Sequence, residues 1–435
     1  MSNPMFAASA ELTAPAHPLD AGKSAEQLLN ERIKRVDDAI ALRKPDRIPV
    51  MMPASYFLAE YAGITKQAMH DEPDKAHAAL EKAALDFQPD LIFGSIGGPE
   101  TIKYLGDRSW KYPGYGLGPN ETFQYVEGEY LRADEYDEFL LDPGDWGVRT
   151  YMPRVFSKLS GLSQLRHLGL TTFGGLGLNL PALCSDEMVE ALDALKAAAL
   201  AQIEAGGHMM ASMQRMMELG FPPAPFFSGG FAAAPFDAMS DTLRGMRGIM
   251  LDIYQRPEKL LAAIEKMRVI ITKDALAGCK ATGANYAGSM LHRGSDGFMS
   301  LKQFEKFYWP SLKQMWLDFI DQGVTPFAFY EGVWDQRLHY LADLPKGGTI
   351  GWFQSSDIFK VKEVVGETMC ILGGMPNSML ANGTVSEIRA HTRRVCEEVG
   401  RDGGFIMCVG VGEMEGSRPE LVRAWVDATR EFGVY

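Results

Sequence analysis

The sequence predicts an α/β fold, a (β/α)8 TIM barrel with an N-terminal arm and an insertion after the second strand. Three observations point there. Short apolar runs alternate with amphipathic stretches, the pattern of parallel strands joined by crossover helices. Eight or nine such units fall in one chain of 435 residues, which suits a closed barrel better than an open sheet. No GxGxxG opens a helix after the first strand, so a dinucleotide-binding sheet is disfavoured.

The elements follow in order. Residues 1–28 are rich in Ala and Pro and read as an arm; residues 29–435 read as one barrel. An amphipathic helix over 25–44 ends at Lys44-Pro45, because the residue before proline is pushed out of the helical region. Strands are expected at 48–52, 90–95, 168–175, 224–230, 284–291, 324–332, 348–354, 367–376 and 403–410. Helices are expected at 74–86, 186–204, 257–277, 301–321, 359–365, 385–399 and 419–432, with a short one ending at Leu344. Residues 100–150 break the rhythm. They are aromatic, acidic and rich in Gly and Pro, and read as an excursion that shapes a site or carries a small core of its own.

Composition narrows the function classes. Lys and Arg number 43 against 56 Asp and Glu, a net charge of −13, which argues against nucleic-acid binding. Five scattered cysteines with no close pair read as reduced thiols of a cytoplasmic protein. No run approaches the roughly 20 apolar residues of a membrane span, and the N-terminus lacks the charged-then-apolar pattern of a secretory signal.

In a barrel of this kind the chemistry sits past the C-terminal ends of the strands. The polar residues there include Ser95, Asp237, His292, Arg293, Asp296, Tyr330, Glu331, Asp335, Gln354 and Glu413. Glu331 stands out, since a carboxylate at the tip of a buried strand is poised for acid/base work or metal binding. His292 and Asp335 are the other candidate catalytic groups. Arg293, Tyr330, Trp334, Gln354, Ser95 and Asp296 are candidate substrate contacts. Glu331, His292 and Glu413 form the one metal set that three strand ends offer. The bland alternatives are a Glu331 ion pair with Arg293 or Arg337, and helix capping at the other positions.

Several of these segments resemble the uroporphyrinogen decarboxylase superfamily, which includes tetrapyrrole decarboxylases, methylcobamide:coenzyme M methyltransferases and methyl-transferring O-demethylase components. The resemblance lies in RKPDRIPV, DGFMSLKQFEKFYWPSLKQ, ILGGMPNSMLANGTVSEIRAHTRRV and GGFIMCVGVG with RPELVRAWVDATREFG, and spans about residues 30–435. It implies a (β/α)8 barrel. The departures favour the methyltransferase branch. The stretch PVMMPASYFLAEY lacks the decarboxylases' arginines, and Ser95 stands where they carry an aspartate. The zinc methyltransferases' His-x-Cys and later Cys fall here at Phe329, Glu331 and Val411, so the thiolate zinc site is expected to be absent.

Three functions compete. The first is a methyltransferase or demethylase acting on a small methoxylated aromatic, with a corrinoid carrier protein as acceptor and a divalent metal as an optional aid. The second is a metal-independent decarboxylase or carbon–carbon lyase in which Arg293 holds a carboxylate. The third is a non-catalytic ligand-binding barrel. A homo-oligomer is allowed by any of them. Docking of an acidic carrier needs a local basic patch, for which Arg244 and Arg247 are candidates.

Overall fold

The computed structural model describes residues 20–94, 97–227, 229–410 and 414–435. Eight strands form its main sheet: β1 Val50–Pro53, β2 Leu91–Phe93, β3 Gly230–Phe231, β4 Tyr286–Leu291, β5 Thr325–Tyr330, β6 Ile350–Phe353, β7 Cys370–Met375 and β8 Phe405–Val409. All pairings are parallel, in the order β2-β1-β8-β7-β6-β5-β4-β3. That is the order of a barrel slit between β2 and β3.

The closed barrel expected from the sequence is therefore corrected to an open, curled half-barrel. The edges explain why. β3 has two residues and β2 three, too little backbone for a further ladder. β3 is also pinned against its inner neighbour: a Cβ on Gly229 would lie 1.8 Å from the Tyr286 carbonyl oxygen. The strand expected at 168–175 is a 3-10 turn, Leu168–Phe173. The His167 imidazole caps the Gly169 N–H at 3.1 Å, Thr171 Oγ1 donates back to the Leu168 carbonyl, and Leu170 is exposed, so this apolar run has no sheet to join.

The strands alternate as their residues require. Phe327, Phe329, Met290, Trp352, Leu372 and Cys408 point into the concave face and pack on one another. Leu291, Ala328, Tyr330, Phe353, Met407 and Val409 point outward onto the crossover helices. Trp352 anchors the inner layer by donating its indole N–H to the Val409 carbonyl at 2.9 Å. At the N-terminal ends of the strands, buried Asp90 accepts from Arg35 at 2.6 Å, from Arg47 at 2.7 Å and from the Val50 amide at 2.8 Å. Those cations hold its carboxyl well below the ordinary range although burial alone would raise it. That end of the sheet is built for stability.

Residues 97–227 add no strand to the main sheet among those described. Within them Trp110–Pro113, Gly116–Leu117 and Gln124–Tyr125 make a small separate sheet. Its rings form a row: Tyr125 to Trp110 at 5.0 Å, Trp110 to Phe123 at 5.8 Å, and Phe123 to Tyr56 at 6.2 Å. Tyr56 follows β1, and the Tyr125 hydroxyl donates to the Asp241 carbonyl beyond β3. The row thus reaches from one side of the slit to the other.

Candidate active site

Strand register brings the first pair together. Leu291 and Tyr330 are the last partners of β4 and β5, so His292 and Glu331 come next, both on the inward phase set by Met290 and Phe329. His292 Nε2 lies 3.6 Å from Glu331 Oε2. The Glu331 side chain is 48% exposed. The burial expected of a strand-tip carboxylate is found instead at Asp237, which is 1% exposed.

Asp237 and Asp241 come from the helical segment after β3, where the short turn Pro235–Asp237 runs into a π-helical stretch, Ala238–Arg244. Asp237 Oδ2 accepts from the His292 amide at 2.8 Å and from the Tyr308 hydroxyl at 2.8 Å, and its Oδ1 accepts from the Arg293 amide at 3.1 Å. Tyr308 sits on a second π-helical stretch, Phe304–Tyr308, just before Pro310, which has no N–H to continue the ladder. The sequence had suggested one unbroken helix over 301–321. Such insertions often mark functional positions.

Asp241 is the hub. Its Oδ2 lies 2.6 Å from His292 Nδ1 and its Oδ1 lies 2.9 Å from Arg293 Nε. Arg293 also reaches Ser240 Oγ at 3.1 Å and Glu127 Oε1 at 3.2 Å. Glu127, from the excursion, is fixed in turn by the Met246 amide at 2.6 Å. Burial, then the charge of Asp241, push the Asp237 carboxyl up to about 7, against the pull of His292. Burial opposes charge on His292, but the hydrogen bond to Asp241 and the field of Asp237, Asp241 and Glu331 outweigh it. The imidazole is raised to about 9 and is a cation at neutral pH.

The other sequence candidates are placed as follows. Tyr330 and Trp334 are fully buried. Tyr330 stacks on Phe353 at 4.5 Å, and Trp334 donates its indole N–H to the Glu331 carbonyl at 2.9 Å, so both shape the site from behind. Gln354 Oε1 accepts from the Gly332 amide at 2.6 Å and fixes the turn after Glu331. Asp335 accepts from the Asp357 amide at 3.2 Å. Asp296 pairs with buried Arg337 and accepts from the Gln336 amide at 3.0 Å. Ser95, Glu413 and Val411 lie outside the described residues. Arg244 is buried against Asp252 and Glu129, so only Arg247 of the suggested basic patch is on the surface. Glu127, Asp241 and Tyr308 were missed. The spacing of Asp237 and Asp241, four apart in a helical stretch, is the signal that marks two carboxylates on one face.

Among the described residues no group of three or more His, Cys, Asp or Glu is arranged to hold a metal ion. Of the three ligands expected from the sequence, His292 and Glu331 lie together, Nε2 to Oε2 at 3.6 Å, and Glu413 is outside the described residues. Cys370 and Cys408 lie inside β7 and β8, where burial pushes both thiols up. No helix among the described residues is long and apolar enough to cross a membrane.

Comparison with known proteins gives a partial family match and a shared fold. Residues 224–432, from β3 to the end of the last helix, match the family model described as uroporphyrinogen decarboxylase (URO-D). That C-terminal part of the chain, just under half of it, is similar to uroporphyrinogen decarboxylases. His292, Arg293, Asp237, Asp241 and Glu331 all lie in the matched segment. Among solved structures, a methyltransferase from Methanosarcina mazei shares the fold, with a TM-score of 0.57, 15% identity, and coverage of 93% of this chain and 98% of that one. No curated protein matches the chain. The partial match is to a family of enzymes and does not fix the reaction.

Proposed function

We propose that this protein removes a methyl group from a small methoxylated aromatic and that His292 is its general acid. The observation that carries the reading is the His292 cation, braced by Asp241 at 2.6 Å on the concave face. Its Nε2–H faces Glu331 at 3.6 Å, too long for a hydrogen bond, so this proton is available to a substrate oxygen. Cleaving an aryl methyl ether leaves the electron pair on the phenolic oxygen. A phenol titrates near ~10, and an acid at about 9 is well matched to protonate it as the C–O bond breaks. The row Trp110, Phe123 and Tyr125 suits a flat apolar ring.

The methyl acceptor is proposed to be a corrinoid on a separate carrier protein, which supplies the nucleophile for the methyl carbon. This chain's own residues do the rest. Asp241 orients and charges His292, Asp237 fixes the backbone that carries His292 and Arg293, and the Glu331 carboxylate, facing Nε2 at 3.6 Å, favours re-protonation of the imidazole from water. In the decarboxylase or lyase reading Arg293 must hold a substrate carboxylate. Its charge is already balanced by Asp241 and Glu127, which counts against that reading.

The test is incubation of the purified protein with a panel of methoxylated aromatics, with and without reduced cobalamin. The expected result is phenol and methylcobalamin, formed only with acceptor, and a loss of about 10²-fold or more in kcat for His292→Gln. Release of carbon dioxide or an aldehyde would favour the lyase reading. No turnover on any donor would leave the non-catalytic barrel.

A further inference from the structure

Two of the eight histidines meet where two helices pack, outside the site around His292. His77 lies on the helix Pro73–Phe87 and His208 on the long helix Asp186–Glu218. Their ring centroids are 6.3 Å apart and the planes are inclined at 52°. Both side chains are half-buried. Neither ring hydrogen-bonds to a described residue, whereas His70, His167, His292 and His391 each have such a partner.

The spacing fits a shared ion. An imidazole nitrogen binds zinc at about 2.0–2.1 Å, which puts the ring centroid roughly 3.2 Å from the metal. Two rings on one ion therefore have centroids at most about 6.4 Å apart, and about 5 Å apart at a tetrahedral angle. At 6.3 Å the pair stands at the outer limit, and two half-exposed side chains on separate helices can close by the remaining ~1 Å that four-coordination asks. The surroundings suit a metal as well. Burial, then the neighbouring His208, lower the proton affinity of His77 against the pull of Asp74, so the ring is neutral at pH 7, the form that ligates. Beside His77 lies a cavity of about 120 Å³, lined also by Glu81, Ser212 and Arg215, with room for the waters that complete a coordination shell. Glu81 is held by Arg215 Nε and Nη2, both at 3.1 Å, so the protein supplies two ligands and water the rest.

We propose that His77 and His208 bind one zinc ion, which staples the long helix to the helix Pro73–Phe87. Neutral imidazole with water is a donor set that zinc accepts without thiolate. The staple falls where it has most to add. Between Ala198 and Met216 the long helix puts no residue into an apolar core cluster, so few contacts besides this pair hold that stretch. The inference is independent of the proposed chemistry, because the pair shares no residue with the His292 site.

The test is calorimetric titration of the full chain, first stripped with chelator, with Zn²⁺ alone. One ion per chain is expected, with the melting temperature raised by about 1–2 °C at tenfold excess over the dissociation constant. His77→Gln and His208→Gln should each lose the binding heat and the shift, and should melt like the wild type without zinc. His292→Gln should keep both, which separates this pair from the strand-end residues. In that background Cu²⁺ serves as a second probe. Its electron paramagnetic resonance should show splitting from two imidazole nitrogens, reduced to one when His77 or His208 is also replaced. No zinc binding, binding that survives both substitutions, or binding lost only with His292→Gln would overturn the proposal.

Discussion

The His292 Nδ1 atom lies 2.6 Å from Asp241 Oδ2, and through this contact the strand-borne half of the site is tied to the helix-borne half. Two charges at that separation in a partly shielded mouth favour the imidazolium strongly. Asp241→Asn keeps the shape and removes the charge. We expect the basic limb of the kcat/KM profile, near pH 9 in the wild type, to move down by roughly one unit or more. An unchanged limb would show that another group is the acid.

Asp237 tests the backbone support. Its two oxygens accept two main-chain N–H groups and the Tyr308 hydroxyl in a site closed to water. In Asp237→Asn the side-chain NH2 must face either the His292 or the Arg293 amide, donor against donor. The expected loss is about 1–3 kcal/mol of unfolding free energy, read as a fall in denaturation midpoint. Tyr308→Phe removes a donor and leaves the carboxylate its amides, so its loss should be smaller.

Much of the strand-borne half was legible. Once Phe327 and Phe329 are read as inward, period two sends Glu331 inward too, and the same rule aims His292 after Met290 and Gln354 after Trp352. Asp241 was not legible this way, because β3 is two residues long and gives no alternation to extend. Asp241 itself rides on a π-helical stretch, which a 3.6-residue pattern does not announce. Closure failed for a related reason. Whether β2 meets β3 is decided by a pairing far apart in sequence, and the strand pattern alone counts units without saying that two of them are too short to join. Burial at Glu331 was misjudged because a strand tip is buried only if the mouth is covered.

Asp296 was a candidate for binding substrate, yet its carboxylate meets Arg337, whose side chain is 2% exposed and also donates to the Met299 carbonyl at 2.6 Å. Removing one partner of such a pair strands a buried charge. Asp296→Ala should cost about 3 kcal/mol of stability. KM should stay within twofold wherever the variant remains folded. A large rise in KM with intact stability would restore the binding role.

Glu331→Gln separates chemistry from folding. The side chain is half exposed, so stability should change by less than about 0.5 kcal/mol. If the Glu331 carboxylate favours re-protonation of His292 from water, kcat should fall at least tenfold while KM holds. A variant with full kcat would remove Glu331 from the mechanism.

Stability should carry the same electrostatic signature, and the sign can be worked out. His292 binds its proton more tightly folded than unfolded, with a pKa of about 9 against 6.5. Its contribution is therefore complete below pH 6.5 and is lost as pH rises through 9. Asp237 acts in the same direction at lower pH. Its folded value of about 7 against 3.8 means that a preference for the protonated form is lost between those limits. The melting temperature should thus decline from pH 6.5 to 9.5 in the wild type. In His292→Gln that decline should flatten, whereas Asp237→Asn should flatten the decline between pH 4 and 7 and, by removing one of the charges that hold the imidazolium, reduce the upper one without abolishing it. Parallel curves for the wild type and His292→Gln would mean that the imidazole is not held as a cation by its neighbours, and the assignment of His292 as the acid would fall with it.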